Sequence, residues 1–200
     1  MDKKQAINII TESCMKYQKN LENKNFLFIY NSNEKTLKSL ETLFLKSNFL
    51  HLTGIKLKNH RIKSSTQFYN ICSDNKLSPN DFEFSSNGTT ELKLNVLPQI
   101  INIPYNAKMI GDYLNTKKLL VTEKVIGNIF LSLGFIQDRN EYYIPNTALN
   151  ENIKRITVSQ NKIIAILEKN AKDKHYRTIS CVDKNKKGID ISEMLNELQI

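Results

Sequence analysis

His51 ends the apolar run NFLHL and is followed by Lys56, Lys58, His60, Arg61 and Lys63. An imidazole of ordinary pKa, ~6.5, can take a proton at neutral pH, and cations spaced along a loop can hold the oxygens of a phosphodiester. RNA is the substrate for which such a set suffices without a metal. Its 2′-hydroxyl is an internal nucleophile, so a base, a cation for the oxyanion and an acid for the leaving oxygen complete the chemistry. The competing reading makes His51 a strand-end histidine bonded to backbone and the lysines a solvated loop.

A second basic stretch, AKDKHYRTIS, carries Lys172, Lys174, His175, Tyr176, Arg177, Thr178 and Ser180. Arg177 could clamp phosphate and Tyr176 stack a base, while Thr178 and Ser180 share one face of a strand and can donate hydrogen bonds. A polar hairpin with one wet face explains the same residues. Arg155, just before ITVS, is a further phosphate candidate. Lys93 either faces a site or lies on the solvent side of its helix. The expected catalytic set is therefore His51, Arg155, Arg177, Thr178 and Ser180. The expected nucleic-acid contacts are Lys56, Lys58, Arg61, Lys63, Lys174, His175 and Tyr176.

Other chemistries lack their signatures. There is no phosphate-binding G-x-x-x-x-G-K-[ST] loop, and Gly127 and Gly134 do not build a dinucleotide loop. His51, His60 and His175 lack metal-ligand spacing and the carboxylates form no cluster, so neither a metal nor a cofactor is expected. Cys14, Cys72 and Cys181 are odd in number and far apart, which fits reduced thiols and not a disulfide framework.

The elements that must position these residues follow from periodicity. Ile7, Ile10, Cys14, Tyr17 and Leu21 recur at helical steps and predict a helix over 1–23. FLFIY, at Phe26–Tyr30, reads as a strand. The segment 35–52 fits both a helix and a strand, with strand favoured near its end. A short helix is expected from Ser65, another from Ser78-Pro79, and a further one around Leu92–Ile101, so that 26–110 is mixed and mainly helical. From 117 to 183, KKLLVT, IGNIFLSLGFI, EYYIP, ITVS, KIIAILEK and YRTISCV predict successive antiparallel strands joined by short turns. A last amphipathic helix is expected over 190–199. The fold class is α+β: N-terminal and central helices packed on a C-terminal antiparallel meander of four to five strands, with a C-terminal helix.

The chain has 200 residues and 40% hydrophobic content, enough for one good-sized core and a single domain over 1–200. Its net charge of +9 suits a polyanion partner, although the excess of Lys over Arg weakens that argument. The amino terminus is polar with an early acidic residue, which predicts no signal peptide, no membrane association and a cytoplasmic location.

FLHLTG, a downstream FY, GTTELKL, MIGDY, LGF and YYIPNT resemble the patterns of a phage and mobile-element nuclease family assigned to the Barnase–EndoU–colicin–RelE-like (BECR) fold. The resemblance spans roughly Phe26 to Val182. It implies helices followed by a four-stranded antiparallel sheet, with metal-independent RNA cleavage on the sheet surface. The family's H-L-x-G histidine falls on His51, whereas Arg155, Arg177, Thr178 and Ser180 rest on chemistry and strand position alone. The expected function is a toxin-like or phage-type endoribonuclease that leaves a 2′,3′-cyclic phosphate. The alternative is a non-catalytic nucleic-acid- or host-protein-binding module of a mobile element. Expected partners are RNA and an antitoxin, immunity or host protein, with the oligomeric state left open.

Overall fold

Asp2 starts the first helix with a reciprocal cap: its carboxylate accepts from the Gln5 N–H at 2.8 Å, while the Gln5 side chain accepts from the Asp2 N–H at 3.0 Å. Helix α1 (Lys3–Asn20) then buries Ala6, Ile10, Cys14 and Tyr17 along one stripe. The computed structural model describes residues 1–58, 61–114, 121–183 and 190–200. His60, Gly188 and the first four residues of the expected strand KKLLVT lie outside them.

Two strands follow α1, β1 (Lys24–Asn31) and β2 (Leu37–Phe44). A 3-10 turn (Lys46–Asn48) leads into the short helix α2 (Phe49–Thr53). A two-strand ribbon of β3 (Lys56–Leu57) and β4 (Phe82–Glu83) brackets α3 (Ser65–Ser73). Then come α4 (Thr89–Ile100), α5 (Ile103–Asn106), β5 (Met109–Tyr113), β6 (Lys124–Gly127), β7 (Ser132–Gln137) and β8 (Tyr143–Leu149). The chain ends with α6 (Ile153–Ile156), β9 (Thr157–Asn170), β10 (Thr178–Val182) and α7 (Ile191–Glu197).

The α+β class holds, but the meander of four to five strands does not. Among the described residues, seven strands close into a barrel-like ring in the order β1–β2–β8–β7–β6–β5–β9 and back to β1, with β10 paired on β9. The ring is antiparallel except at β2–β8, a parallel contact at Thr42 and Tyr143. β1 matches the expected strand at Phe26–Tyr30, β2 comes from the segment that fitted both helix and strand, and β5 straddles the end of the region expected to be mainly helical.

The reason lies in burial on both faces. Phe26, Phe28 and Tyr30 face the helical layer with Ile10, Tyr17 and Leu97, while Leu27 and Ile29 face the other way, where Leu195 and Leu198 of the C-terminal region cover them. A strand apolar on both sides belongs in the interior of a sheet. Two further expectations are corrected. Segment 37–44 is strand and 49–53 is helix, the reverse of a strand near the end. Ser78-Pro79 forms a turn, in which Asp81 accepts from the Ser78 N–H at 2.7 Å, and starts no helix.

ITVS and KIIAILEK are one continuous strand, β9, and not two. Its first half pairs with β5 and its second half with β1, the change coming between Lys162 and Ile163, so Gln160-Asn161 lies within the strand and is not a hairpin.

Candidate active site

Helix α2, at five residues, is too short to hold itself, and its stability comes from packing. Phe49 anchors it, with ring centroids 5.3 Å from Tyr17, 5.8 Å from Tyr69 and 6.2 Å from Phe68. Leu52 and Thr53 are buried beside it, and Gly54 ends the helix in the left-handed conformation at φ 69°. With its neighbours turned inward, His51 is left on the exposed side.

Helix α4 meets α2 through two hydrogen bonds. Lys93 Nζ donates to the His51 carbonyl at 2.8 Å, and Thr90 Oγ1 donates to the Gly54 carbonyl at 2.6 Å. Burial lowers the Lys93 pKa from 10.5 to about 8. The His51 pKa is also below its ordinary value, first because the ring is partly shielded from water and second because the Lys93 ammonium is near. The His51 shift favours its neutral form, and Lys93, near 8, is still mainly charged at pH 7.

Lys93 lines a cleft of about 420 Å³ between the start of α4 and the end of β8, with Ser85, Asn87, Thr89 and Leu92 on one wall and Thr147 to Glu151 on the other. Thr147 is fully buried, and its hydroxyl has no hydrogen-bond partner among the described residues. Gly134 lies opposite it across β7 and β8. GTTELKL and YYIPNT, remote in sequence, therefore supply Lys93 and Thr147 to the cleft lining, with Gly134 of LGF opposite Thr147 and His51 of FLHLTG joined to Lys93 through its carbonyl, its ring not among the lining groups. Among the described residues no three His, Cys, Asp or Glu side chains gather as a metal site.

Gly54 is required twice over. Its φ is positive, and a Cβ there would stand 2.9 Å from Lys93 Cδ. Gly54→Ala should cost about 1–2 kcal/mol of stability and displace Lys93. Chemical denaturation together with an activity assay would check this, and an unchanged variant would remove Gly54 from the argument.

The remaining expected residues are dispersed. Arg177, His175 and Thr178 line a separate groove of about 100 Å³ with Lys24, Glu168 and Lys169. Ser180 Oγ donates there to Glu168 at 3.2 Å, and Lys24 bonds the same carboxylate at 3.4 Å. Tyr176 is buried, donates to Glu41 at 2.5 Å and lies under the Lys169 ammonium, 4.4 Å from its ring centre, so it is not a surface platform. Arg155 is exposed on α6, four positions after the last cleft residue, Glu151. Among the described residues no hydrogen bond or ion pair joins His51 to Arg155, Arg177, Thr178 or Ser180.

The basic loop is partly committed to the fold. Lys58 pairs with Glu83 at 3.0 Å, and Arg61 grips the buried Asp81 carboxylate at 2.5 Å and 3.0 Å. Lys56, Lys63 and Lys174 are exposed. Arg61→Ala strands a buried carboxylate and should cost on the order of 2 kcal/mol, read as a lower urea midpoint, with the salt dependence of nucleic-acid binding unchanged.

Sequence reasoning left Lys93 open and missed Thr147. The signal was present: GTTELKL and YYIPNT carry part of the resemblance, but neither marks which of its residues turns to a site. No curated protein and no solved structure matches the chain, and among the described residues no helix is long and apolar enough to cross a membrane. A family model matches residues 9–185, across every stretch that builds the cleft, and the chain belongs to the phage-Barnase-EndoU-ColicinE5/D-RelE like nuclease4 family.

Proposed function

We propose that this nuclease cleaves RNA by attack of the 2′-hydroxyl on the adjacent phosphorus, without a metal, with His51 and Lys93 as the catalytic pair. The supporting observation is the cleft itself: Lys93, held near pKa 8, lines about 420 Å³ of open space and is hydrogen-bonded to the residue that carries the imidazole. Neutral His51 takes the 2′-hydroxyl proton. O2′ then bonds to phosphorus and the P–O5′ bond breaks. The Lys93 ammonium faces the charge that builds on the phosphoryl oxygens and gives its proton to the departing O5′. One proton is taken up by His51 and one is delivered by Lys93, so the pair must exchange protons with solvent before the next turnover.

The amino end of α4 borders the same space at Thr89, and its dipole favours a phosphate there. Thr147 is fully buried in the cleft wall, so it shapes that wall. Arg155 and exposed Lys56 and Lys63 serve as outer contacts to the RNA backbone in this reading, with Arg177, Thr178, Lys174 and His175 forming a second, remote contact surface. The reading gives Ser180 and Tyr176 structural roles, since their hydroxyls are engaged by Glu168 and Glu41.

Incubation with RNA in excess chelator tests the proposal. It predicts fragments ending in 2′,3′-cyclic phosphate. Ends bearing 5′-phosphate, or cleavage that stops when chelator is added, would refute it. Salt-sensitive RNA binding with no turnover would favour the non-catalytic module.

A further inference from the structure

Strand β9 changes partner in mid-course, and the sheet opens where it does so. The register slips between Ile110 and Asp112 on the β5 side, and between Ile29 and Tyr30 on the β1 side. Ser159 takes φ 50° at the same place. Gly111 sits in the first slip because a Cβ there would lie 2.8 Å from Thr157 Cβ and 2.9 Å from the Val158 carbonyl. Paired irregularities of this kind re-aim side chains and leave space between strands.

The space is a cavity of about 260 Å³, bounded by Tyr30, Lys38, Asp112, Lys124, Ser159 and Asn161 among others. It shares no lining residue with the cleft that Lys93 lines. Tyr30 is 8% exposed, and its phenol hydroxyl has no protein partner among the described residues. Asp112 and Lys124 form an ion pair within the wall. Asn161 spends its amide N–H on the Ser159 carbonyl at 2.6 Å, which leaves its side-chain oxygen as an acceptor. Lys38 is exposed at the rim and has no ion-pair partner among the described residues.

We infer that this seam cavity binds one nucleotide unit: the base and ribose against Tyr30, Asp112, Lys124 and Asn161, the phosphate on Lys38. Three features support the assignment. The volume, about 260 Å³, lies just below the range of drug-sized pockets, about 300–1,000 Å³, which limits an occupant to a single nucleoside-sized unit. A carboxylate, an ammonium and an amide oxygen in one wall offer the mixed donors and acceptors that a base edge requires, which a simple anion site would not provide. The Tyr30 hydroxyl makes no protein hydrogen bond among the described residues yet is not a buried unsatisfied group, so it can exchange water for a ribose hydroxyl or base heteroatom. The unit could be a free mononucleotide or the end of an RNA chain, since both present the same groups.

The test is calorimetric titration of the full chain with each of the four nucleoside 5′-monophosphates, with the matching nucleosides, with inorganic phosphate, and with a short single-stranded RNA bearing a 5′-phosphate. At least one monophosphate should bind fivefold or more tightly than its nucleoside and than phosphate. Tyr30→Phe and Asn161→Ala should each weaken it at least threefold. Lys38→Gln, at the exposed rim, should reduce its affinity to that of the nucleoside, and His51→Ala should leave it unchanged. Equal affinity for monophosphate and RNA marks a free-nucleotide site, whereas tenfold preference for RNA marks a strand-end site. No binding at millimolar concentration, phosphate binding as well as the nucleotide, or loss of binding with His51→Ala in place of Lys38→Gln overturns the inference. Because the readout is binding and not cleavage, its failure is distinct from failure of the catalytic proposal.

Discussion

Lys93→Met should yield a protein that unfolds at higher temperature and cleaves RNA far more slowly. Burial moves the Lys93 pKa from 10.5 to about 8, a folded-state penalty of about 3 kcal/mol against the charged form. Methionine keeps an unbranched apolar stem and removes the charge. The variant forfeits the bond from Nζ to the His51 carbonyl, about 1 kcal/mol, so the net gain at neutral pH is about 2 kcal/mol. The sign fixes the pH window. Below about pH 8 the lysine is protonated in both folded and unfolded chains, and the cost is present in full. Between about pH 8 and 10.5 the folded chain has released its proton while the unfolded chain has not, so the wild type regains stability as pH rises. The difference between the two proteins should therefore be greatest at pH 7 and reduce to the lost hydrogen bond above pH 10.5. Loss of the ammonium that faces the phosphoryl oxygens should lower kcat by about 10²–10³. Thermal scans across this pH range, paired with cleavage assays, check both halves. A Lys93→Met protein that is less stable at pH 7, or as active as wild type, would show that Lys93 is a structural residue of α4 and nothing more.

The second large effect is on pH dependence. Neutral His51 is required as base and charged Lys93 as acid, so kcat/KM should rise through a pKa below 6.5 and fall through one near 8. His51→Ala should lower kcat by about 10²–10⁴ and erase the acidic limb while sparing the alkaline limb. Because His51 is exposed and its carbonyl, not its ring, holds Lys93, this substitution should leave the fold intact. A His51→Ala protein with an unchanged acidic limb would assign that titration elsewhere and remove the imidazole from the reaction.

Periodicity exposed some elements and misread others for definite reasons. The stripe of Ile10, Cys14 and Tyr17 is legible because a helix packed on one side buries every third or fourth residue. The segment 35–52 is ambiguous because it holds two elements: β2 alternates Leu40, Thr42 and Phe44 inward, and α2 buries Phe49 and Leu52 one helical turn apart. The closed sheet could not be read from local pattern, since closure depends on which strand β1 meets on its far side, and that partner, β9, is more than 130 positions downstream.

The sequence by itself determined the chemistry on offer: a histidine in H-L-x-G, a strong excess of cations, the family resemblance and a mixed α and β character. Residue type and short-range spacing are local properties, and they survive without a fold. The tertiary structure decided which groups act together. It joined Lys93 and Thr147 to His51, sent Arg177 and Ser180 to another groove, and committed Arg61 and Tyr176 to holding the molecule together. Proximity across a closed sheet, and the loss of water that brings a lysine near pKa 8, arise only when distant segments pack, so no stretch of chain read alone contains them.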